Sequence, residues 1–173
     1  MKNIYSNTPL FLIAFLFASL AVSCDTQQKP SQKIVSEKVD QLLDLWHLSA
    51  SKSNFEDYFN CLAEDAIFIG TDKDEIWDKK AFMAFSKPYF DDGKGWDFKV
   101  TQRNLYFGSE HTTIWFDELL DTWMGTCRGS GVIIIEDGKW KIKHYVLSLT
   151  IPNEKMDEVK GLLSDTEISK DIP

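Results

Sequence analysis

Residues 125–151 read GTCRGSGVIIIEDGKWKIKHYVLSLTI. Asp137-Gly138 stands between two runs rich in β-branched and aromatic residues, the strongest short-range signal for a β-hairpin. It joins a strand from Gly125 to Ile135 with one from Lys139 to Ile151. Immediately upstream, Thr112 to Trp123 reads as a third strand, set off by a Gly108-Ser109 turn. From Trp96 the period is also two: Trp96, Phe98 and Val100 alternate with Asp97, Lys99 and Thr101, and that strand extends toward Phe107. Four long strands in succession, joined by short turns, form an antiparallel sheet.

The residues before the sheet are helical. From Ile34 to Ser51, the residues Val35, Val39, Leu42, Leu43, Trp46 and Ala50 make one apolar stripe, with Glu37, Lys38, Asp40 and Asp44 mostly outside it. Ser53 followed by Glu56 has the form of a capping box and predicts a second helix using Phe55, Phe59 and Leu62. Ala66 to Gly70 reads as a short buried strand. Asp78 caps a third helix carrying Ala81, Phe82 and Phe85, which Pro88 ends or kinks near Lys87. Beyond the sheet, Pro152 stops the last strand, Asn153 can cap, and Met156, Val159 and Leu163 predict a short helix within a C-terminal segment spanning 154–173. Helices packed on one face of an antiparallel sheet make an α+β fold.

Composition fits one globular domain: of 173 residues, 43% are apolar and 27% charged, with only five Pro and nine Gly. A formal net charge of −8 argues against nucleic acid or anionic lipid as a partner attracted by net charge. Residues 1–23 read as a signal peptide. The apolar run from Leu10 to Val22 would span about 20 Å as a helix, short of the roughly 30 Å hydrocarbon core of a bilayer. Ala21-Val22-Ser23-Cys24 resembles a bacterial lipobox, with Cys24 as the lipidated residue, although the usual Leu stands one place early, at Leu20. Residues 24–33 are polar, contain Pro30 and suit a tether. These features predict a lipid-anchored protein of the cell envelope, its domain in the periplasm or at the cell surface. Cys61 and Cys127 lie in apolar surroundings and are expected as buried free thiols.

Gly70-Thr71-Asp72, Glu75-Ile76-Trp77, Pro88-Tyr89-Phe90, Gly95-Trp96, Trp115-Phe116-Asp117-Glu118, Arg128-Gly129-Ser130-Gly131-Val132 and Trp140-Lys141-Ile142-Lys143-His144-Tyr145 occur in that order. Together they resemble the SnoaL-like branch of the nuclear transport factor 2-like (NTF2-like) superfamily over residues 34–153. The resemblance implies a cone-shaped fold in which a curved antiparallel sheet wraps N-terminal helices around one apolar pocket, often in homodimers. It implies no single activity, since isomerases, dehydratases, cyclases and binding modules share the fold.

Candidate site residues follow from strand alternation. On the strand from Thr112 to Trp123, one face carries Ile114, Phe116, Glu118 and Leu120, the other Trp115, Asp117, Leu119, Asp121 and Trp123. Either choice buries a carboxylate among aromatics, where desolvation would raise its pKa toward that of a general acid or base. The larger apolar wall offered by Trp115 and Trp123 favours Asp117 as the inward carboxylate. Arg128, beside Gly129 and Gly131, would orient a carboxylate ligand or pair with Asp117. His144, between Ile142 and Val146, is expected to face the core as a hydrogen-bonded residue or a proton shuttle. Its relation to Arg128 depends on the hairpin: a two-residue turn pairs Gly131 with His144, and a three-residue bulged loop pairs Ser130 with it.

Trp77, Trp96 and Trp115 are expected to touch a ligand, with Trp123, Trp140, Tyr89 and Phe90 as further candidates for the pocket wall. Asp72, Asp74 and Glu75 read as a solvated acidic loop. Histidines 47, 111 and 144 are too scattered for a zinc site, and no metal or cofactor is implied. The expected function is binding of a small apolar or carboxylate-bearing molecule. The alternatives are acid–base catalysis by Asp117 with His144 or Arg128, and a dimeric protein-interaction module. Cys24→Ala should shift the protein from the membrane to the soluble fraction and abolish the acyl mass at its mature terminus. Wild-type protein that is soluble and unacylated would refute the anchor.

Overall fold

The computed structural model describes residues 31–168, so the leader and Cys24 lie outside the described residues. Helix α1 (Gln32–Ser51) starts at Ser31, whose hydroxyl accepts from the Ile34 amide, and it buries Val35, Val39, Leu43, Trp46 and Ala50. The stripe also carries His47 and Ser49, both buried. Helix α2 (Phe55–Asn60) is capped by Asn54, not by Ser53. Ser53 has a positive φ of 52° and its hydroxyl accepts from the Gly95 amide at 2.9 Å, so it is taken up by a tertiary contact. Leu62, expected in this helix, begins strand β1 (Leu62–Ile69). A short β2 (Ile76–Asp78) follows, without any counterpart in the sequence reading.

Helix α3 (Lys79–Asp91) is capped by Asp78, whose Oδ1 accepts from the Ala81 amide at 2.7 Å. It runs through Pro88 for another turn. The buried ring of Phe90 holds that turn, packing against Phe55, Tyr58 and Trp96 at centroid distances of 5.2–5.7 Å. The sheet continues with β3 (Lys99–Phe107), β4 (Thr113–Thr122), β5 (Gly125–Glu136) and β6 (Lys139–Leu149). A 3-10 turn (Asn153–Lys155) leads into α4 (Met156–Ile168), and Asn153 lies inside that turn and does not cap it. The six strands form one sheet in the order β2-β1-β6-β5-β4-β3, with β1 parallel to β6 and every other pair antiparallel. Helices α1 to α3 cover one face of this curved, unclosed sheet, and the fold is α+β.

The hairpin combines a two-residue turn with a bulge. Asp137 and Gly138 both have positive φ, and Glu136 pairs with Lys139. The register then slips between Ile133↔Ile142 and Val132↔His144. Neither sequence-derived pairing of His144 survives, because the bulge at Lys143 inserts one residue. Its consequence is a change of face: Ile142, Tyr145 and Leu147 are buried, and His144 turns outward with Val132.

Gly129 and Gly131 sit on the inner face, where they make room for rings of the protein itself. A Cβ at Gly129 would overlap the Tyr145 hydroxyl. One at Gly131 would overlap the His144 carbonyl and stand 2.8 Å from Phe116 Cε1. Cys61 and Cys127 are buried free thiols, and burial pushes the Cys61 thiol up to about 11. Gly131→Ala has no room against backbone, and overpacking of this kind costs about 1–3 kcal/mol. Urea denaturation should show a lowered midpoint at unchanged slope.

Candidate functional site

The bulge and the glycines decide which carboxylate enters the core. Ile114, Phe116, Glu118 and Leu120 are the buried residues of β4, and Glu118 is 0% exposed. Asp117 stands on the outer face, half-buried, accepting from Tyr106 Oη at 2.9 Å and Asn104 Nδ2 at 3.3 Å. The expectation that Asp117 faces inward is therefore corrected. It assumed that the two tryptophans carry the apolar wall, but Trp115 is 47% exposed and stacks flat on Tyr106 at 6.2 Å, outside. Phe116 and Tyr145 fill the inner space that Gly129 and Gly131 leave. Arg128 is exposed on the same outer face as Asp117, and His144 is on that face opposite Val132, four residues along β5 from Arg128. None of Asp117, Arg128, His144 and Trp115 borders the cavity.

Glu118 collects donors from three elements. His47 Nε2 of α1 lies 2.7 Å from Oε1, Tyr145 Oη of β6 lies 3.1 Å from the same oxygen, and Arg103 Nε of β3 lies 3.1 Å from Oε2. Arg103 in turn reaches α1, with Nη1 at 2.8 Å from Asp44 Oδ1 and 3.3 Å from Asp40 Oδ1. Burial opposes the charge on Glu118, yet hydrogen bonding and attraction from His47, joined by Arg103, outweigh it and hold the carboxyl below its ordinary range. An ionised carboxylate only accepts, so His47 Nε2–H donates to it. Burial, reinforced by Glu118, holds the Tyr145 phenol far above its ordinary range. Sequence reasoning missed this network. The available signal was His47, which falls on the α1 stripe one residue after Trp46.

Beside the network lies an open cavity of about 470 Å³. Phe68 of β1, Trp77 of β2, Phe82, Phe85 and Tyr89 of α3, Trp96 and Phe98 before β3, Trp123 and Met124 between β4 and β5, and Leu147 of β6 line it. The rings pack as layers: Phe68 on Phe82 at 4.0 Å and Trp77 on Phe85 at 4.6 Å, both stacked. Trp96 and Phe98 reach the wall because Gly95 presses against α1, where any Cβ would overlap the Ala50 carbonyl. At the mouth, Trp123 is 83% exposed. Polar atoms are few. Thr71 and Glu75 come from the acidic loop, whose Asp72 amide is held by Glu75 Oε2 at 3.2 Å; Asp97 stands between Trp96 and Phe98, and Lys94 is paired with Asp92 at 3.0 Å.

Of the sequence-derived ligand residues, Trp77 and Trp96 line the cavity and Trp115 and Arg128 do not. Among the further candidates, Trp123 and Tyr89 line it. Phe90 is core, and Trp140 packs against the core away from the cavity.

Behind Phe68, Trp96 and Phe98 a blind chamber of about 10 Å³ is bordered by Trp46, His47, Tyr58 and Tyr145. His47 and Tyr145 are thus the two members of the carboxylate network that also border this inner space.

Because the folded pKa of Glu118 is depressed, its contribution is present above the ordinary value of 4.5 and is lost as pH falls through the folded value. Glu118→Gln removes the charge that His47, Tyr145 and Arg103 surround, leaving Arg103 only its contacts to Asp40 and Asp44. It should cost about 3 kcal/mol at neutral pH, as when a buried pair is broken. Chemical denaturation from pH 7 to pH 3 should show wild-type stability declining toward that of the variant. Parallel curves would remove Glu118 as the cause.

The model of the SnoaL-like domain matches residues 39–152, well over half of the chain. No curated protein matches it in sequence. Among solved structures, an NTF2-like protein of unknown function from Pseudomonas putida KT2440 is similar, at 16% identity and a TM-score of 0.59 over 72% of this chain and 92% of that one. A candidate dehydratase of the NTF2-like family from Streptomyces avermitilis is 9% identical, with a TM-score of 0.60 over 70% of this chain and 100% of that one. An NTF2-like protein from Cytophaga hutchinsonii ATCC 33406 is 17% identical, with a TM-score of 0.56 over 70% and 100%. At these identities the likeness is one of fold. With the sheet order, the helical cover and the aromatic cavity, the match over residues 39–152 places this chain in the SnoaL-like family of the NTF2-like superfamily.

Proposed function

We propose that the domain binds a small, predominantly apolar molecule in the open cavity and does not transform it. The observation that carries this reading is the cavity's size and lining: about 470 Å³, within the range of small-molecule sites, walled by stacked aromatic rings with few polar groups. The carboxylate-bearing ligand considered from sequence is disfavoured, because Arg128 lies outside and the carboxylates of Glu75 and Asp97 line the cavity with Lys94. Location at the cell envelope, through a lipid on Cys24, belongs to the same proposal and rests on the leader sequence alone.

The acid–base alternative gains one supporting feature, the His47–Glu118 pair beside the blind chamber. Against it, both oxygens of Glu118 are engaged by His47, Tyr145 and Arg103, and the carboxyl is held below its ordinary pKa and not raised. A general base must be free to take a proton near the working pH. Glu118 is built instead as a fixed charge.

N-phenyl-1-naphthylamine, a neutral fluorophore that brightens in apolar surroundings, should bind at micromolar concentration with one site per chain. Phe85→Glu places a charge in the wall and should weaken binding more than tenfold while circular dichroism stays native. Equal binding by the variant, or no binding by wild type, would refute the pocket as a ligand site.

A further inference from the structure

Trp123 stands bare at the mouth of the aromatic cavity. It is 83% exposed, and among the described residues its indole has no ring contact and no hydrogen bond. Deeper rings of the wall cover one another: Phe82 stacks on Phe68 at 4.0 Å, on Trp77 at 5.6 Å and on Trp96 at 6.0 Å. Phe85 and Tyr89 of α3, also in the lining, are 40% and 46% exposed. The cavity is therefore closed by rings within and edged by open π faces at its entrance.

The register of the sheet brings a carboxylate to the same place. Lys99 of β3 pairs with Asp121 of β4. Two residues beyond each of them stand Asp97 and Trp123, at one end of the same ladder, and both line the cavity. Among the described residues the Asp97 side chain has no ion pair and no hydrogen bond. A second carboxylate is seated by Gly70, where any Cβ would overlap Glu75 Oε2. The bare backbone lets the Glu75 side chain lie against the wall, with Oε2 accepting from the Asp72 amide at 3.2 Å. Lys94 is the single cation among the described lining residues, and its ammonium is 3.0 Å from Asp92. Glu75 and Asp97 thus leave the entrance with an excess of negative charge beside its π faces.

This combination restricts the head group of a ligand. Any molecule that fills the mouth takes water from Asp97 and Glu75, a cost that a neutral group cannot offset. An anion adds repulsion. A cation offsets the cost and also gains from the ring faces, whose quadrupoles attract positive charge, tryptophan most strongly. Rings offer no hydrogen-bond acceptor, so the head that suits them is a methylated ammonium, which spreads its charge over its methyl groups and has few N–H donors to satisfy.

We propose that the cavity mouth is the subsite for the methylated ammonium head of an organic cation, held between the Trp123 face and the carboxylates of Asp97 and Glu75, with the apolar body of the same molecule in the aromatic cavity. The proposal rests on the cavity being a ligand site, and it names the ligand class: a tertiary or quaternary amine on an apolar body.

The test compares N,N,N-trimethyl-2-naphthylammonium with 2-tert-butylnaphthalene, which has the same shape without the charge. Both are titrated by calorimetry against the full chain carrying Cys24→Ala. The cation should bind about tenfold more tightly, and the preference should shrink as salt rises from about 20 mM to 500 mM, since the carboxylates are partly solvated. Asp97→Asn should reduce the preference to about threefold or less while affinity for the hydrocarbon stays unchanged. Trp123→Leu keeps an apolar group but removes the π face, and should lower the preference likewise. Asp137→Asn removes the same charge at the far hairpin and should leave the preference as in wild type.

Equal affinities in wild type, or tighter binding of the hydrocarbon, would overturn the cation subsite. So would a preference that survives both Asp97→Asn and Trp123→Leu, or one that Asp137→Asn lowers as much as Asp97→Asn, as expected for attraction by net charge alone. If N-phenyl-1-naphthylamine binds while the cation shows no preference, only the subsite fails. If none of the three compounds binds, the cavity reading falls and the subsite with it.

Discussion

A fully buried carboxylate is the constraint on which this structure turns. Glu118 sits at 0% exposure in the middle of β4, where an unpaired charge would be prohibitively costly. Its cost is offset only if His47 from α1, Arg103 from β3 and Tyr145 from β6 all arrive at once. That requirement sets the azimuth of α1, since Asp40, Asp44 and His47 must share the side facing β3 and β4. It also sets the pleat of three strands, because shifting β4 by one residue would exchange Glu118 for Asp117 and leave Arg103 and His47 without their partner. Apolar burial drives α1 onto the sheet; the carboxylate determines where it lands.

The bulge at Lys143 and the paired glycines of β5 serve the same arrangement. Without an inserted residue, Ile142 and His144 would share the inner face. With it, Ile142 stays inside and Tyr145 takes the next inward position, in reach of Glu118. The Tyr145 ring then occupies the volume above Gly129, and Phe116 the volume beside Gly131. What reads in the sequence as a lowered wall for a ligand is therefore space for two large rings of the core. The wall of the cavity is built elsewhere, by α3 and by the segment that Gly95 pins to the end of α1.

These features explain what could be read from the residues. The stripe of α1, the Asp78 cap and the Asp137-Gly138 turn are local signals, and each corresponds to an observed element; of the two-residue period read from Trp96, only the part from Lys99 onward is strand β3. Misread features depended on tertiary context. Ser53 lost its capping role to Gly95, Pro88 was overridden by the packing of Phe90, and β2 is a three-residue strand held only by pairing with β1. The choice between Asp117 and Glu118 turned on the larger apolar wall that the size of Trp115 and Trp123 suggests. The space left by two glycines on the neighbouring strand instead admits Phe116 and Tyr145. For the site, Trp77 and Trp96 were legible as aromatics flanking helix α3, whereas Arg128 and His144 depended on a register that a bulge altered.

The polar network and the inner chamber meet at His47 and Tyr145, and that contact limits the chemistry of the chamber. Both side chains hydrogen-bond Glu118 on one side and border the blind chamber on the other. The chamber is thus backed by a negative charge whose compensating guanidinium, Arg103, faces away toward Asp40 and Asp44 on α1. In a low-dielectric interior such a field disfavours an anion and favours neutral groups that accept from a donor. The same charge holds the Tyr145 phenol protonated, because ionising it would place a second negative charge 3.1 Å from Glu118. Beside the chamber, Glu118 is therefore held as a fixed charge by His47, Tyr145 and Arg103.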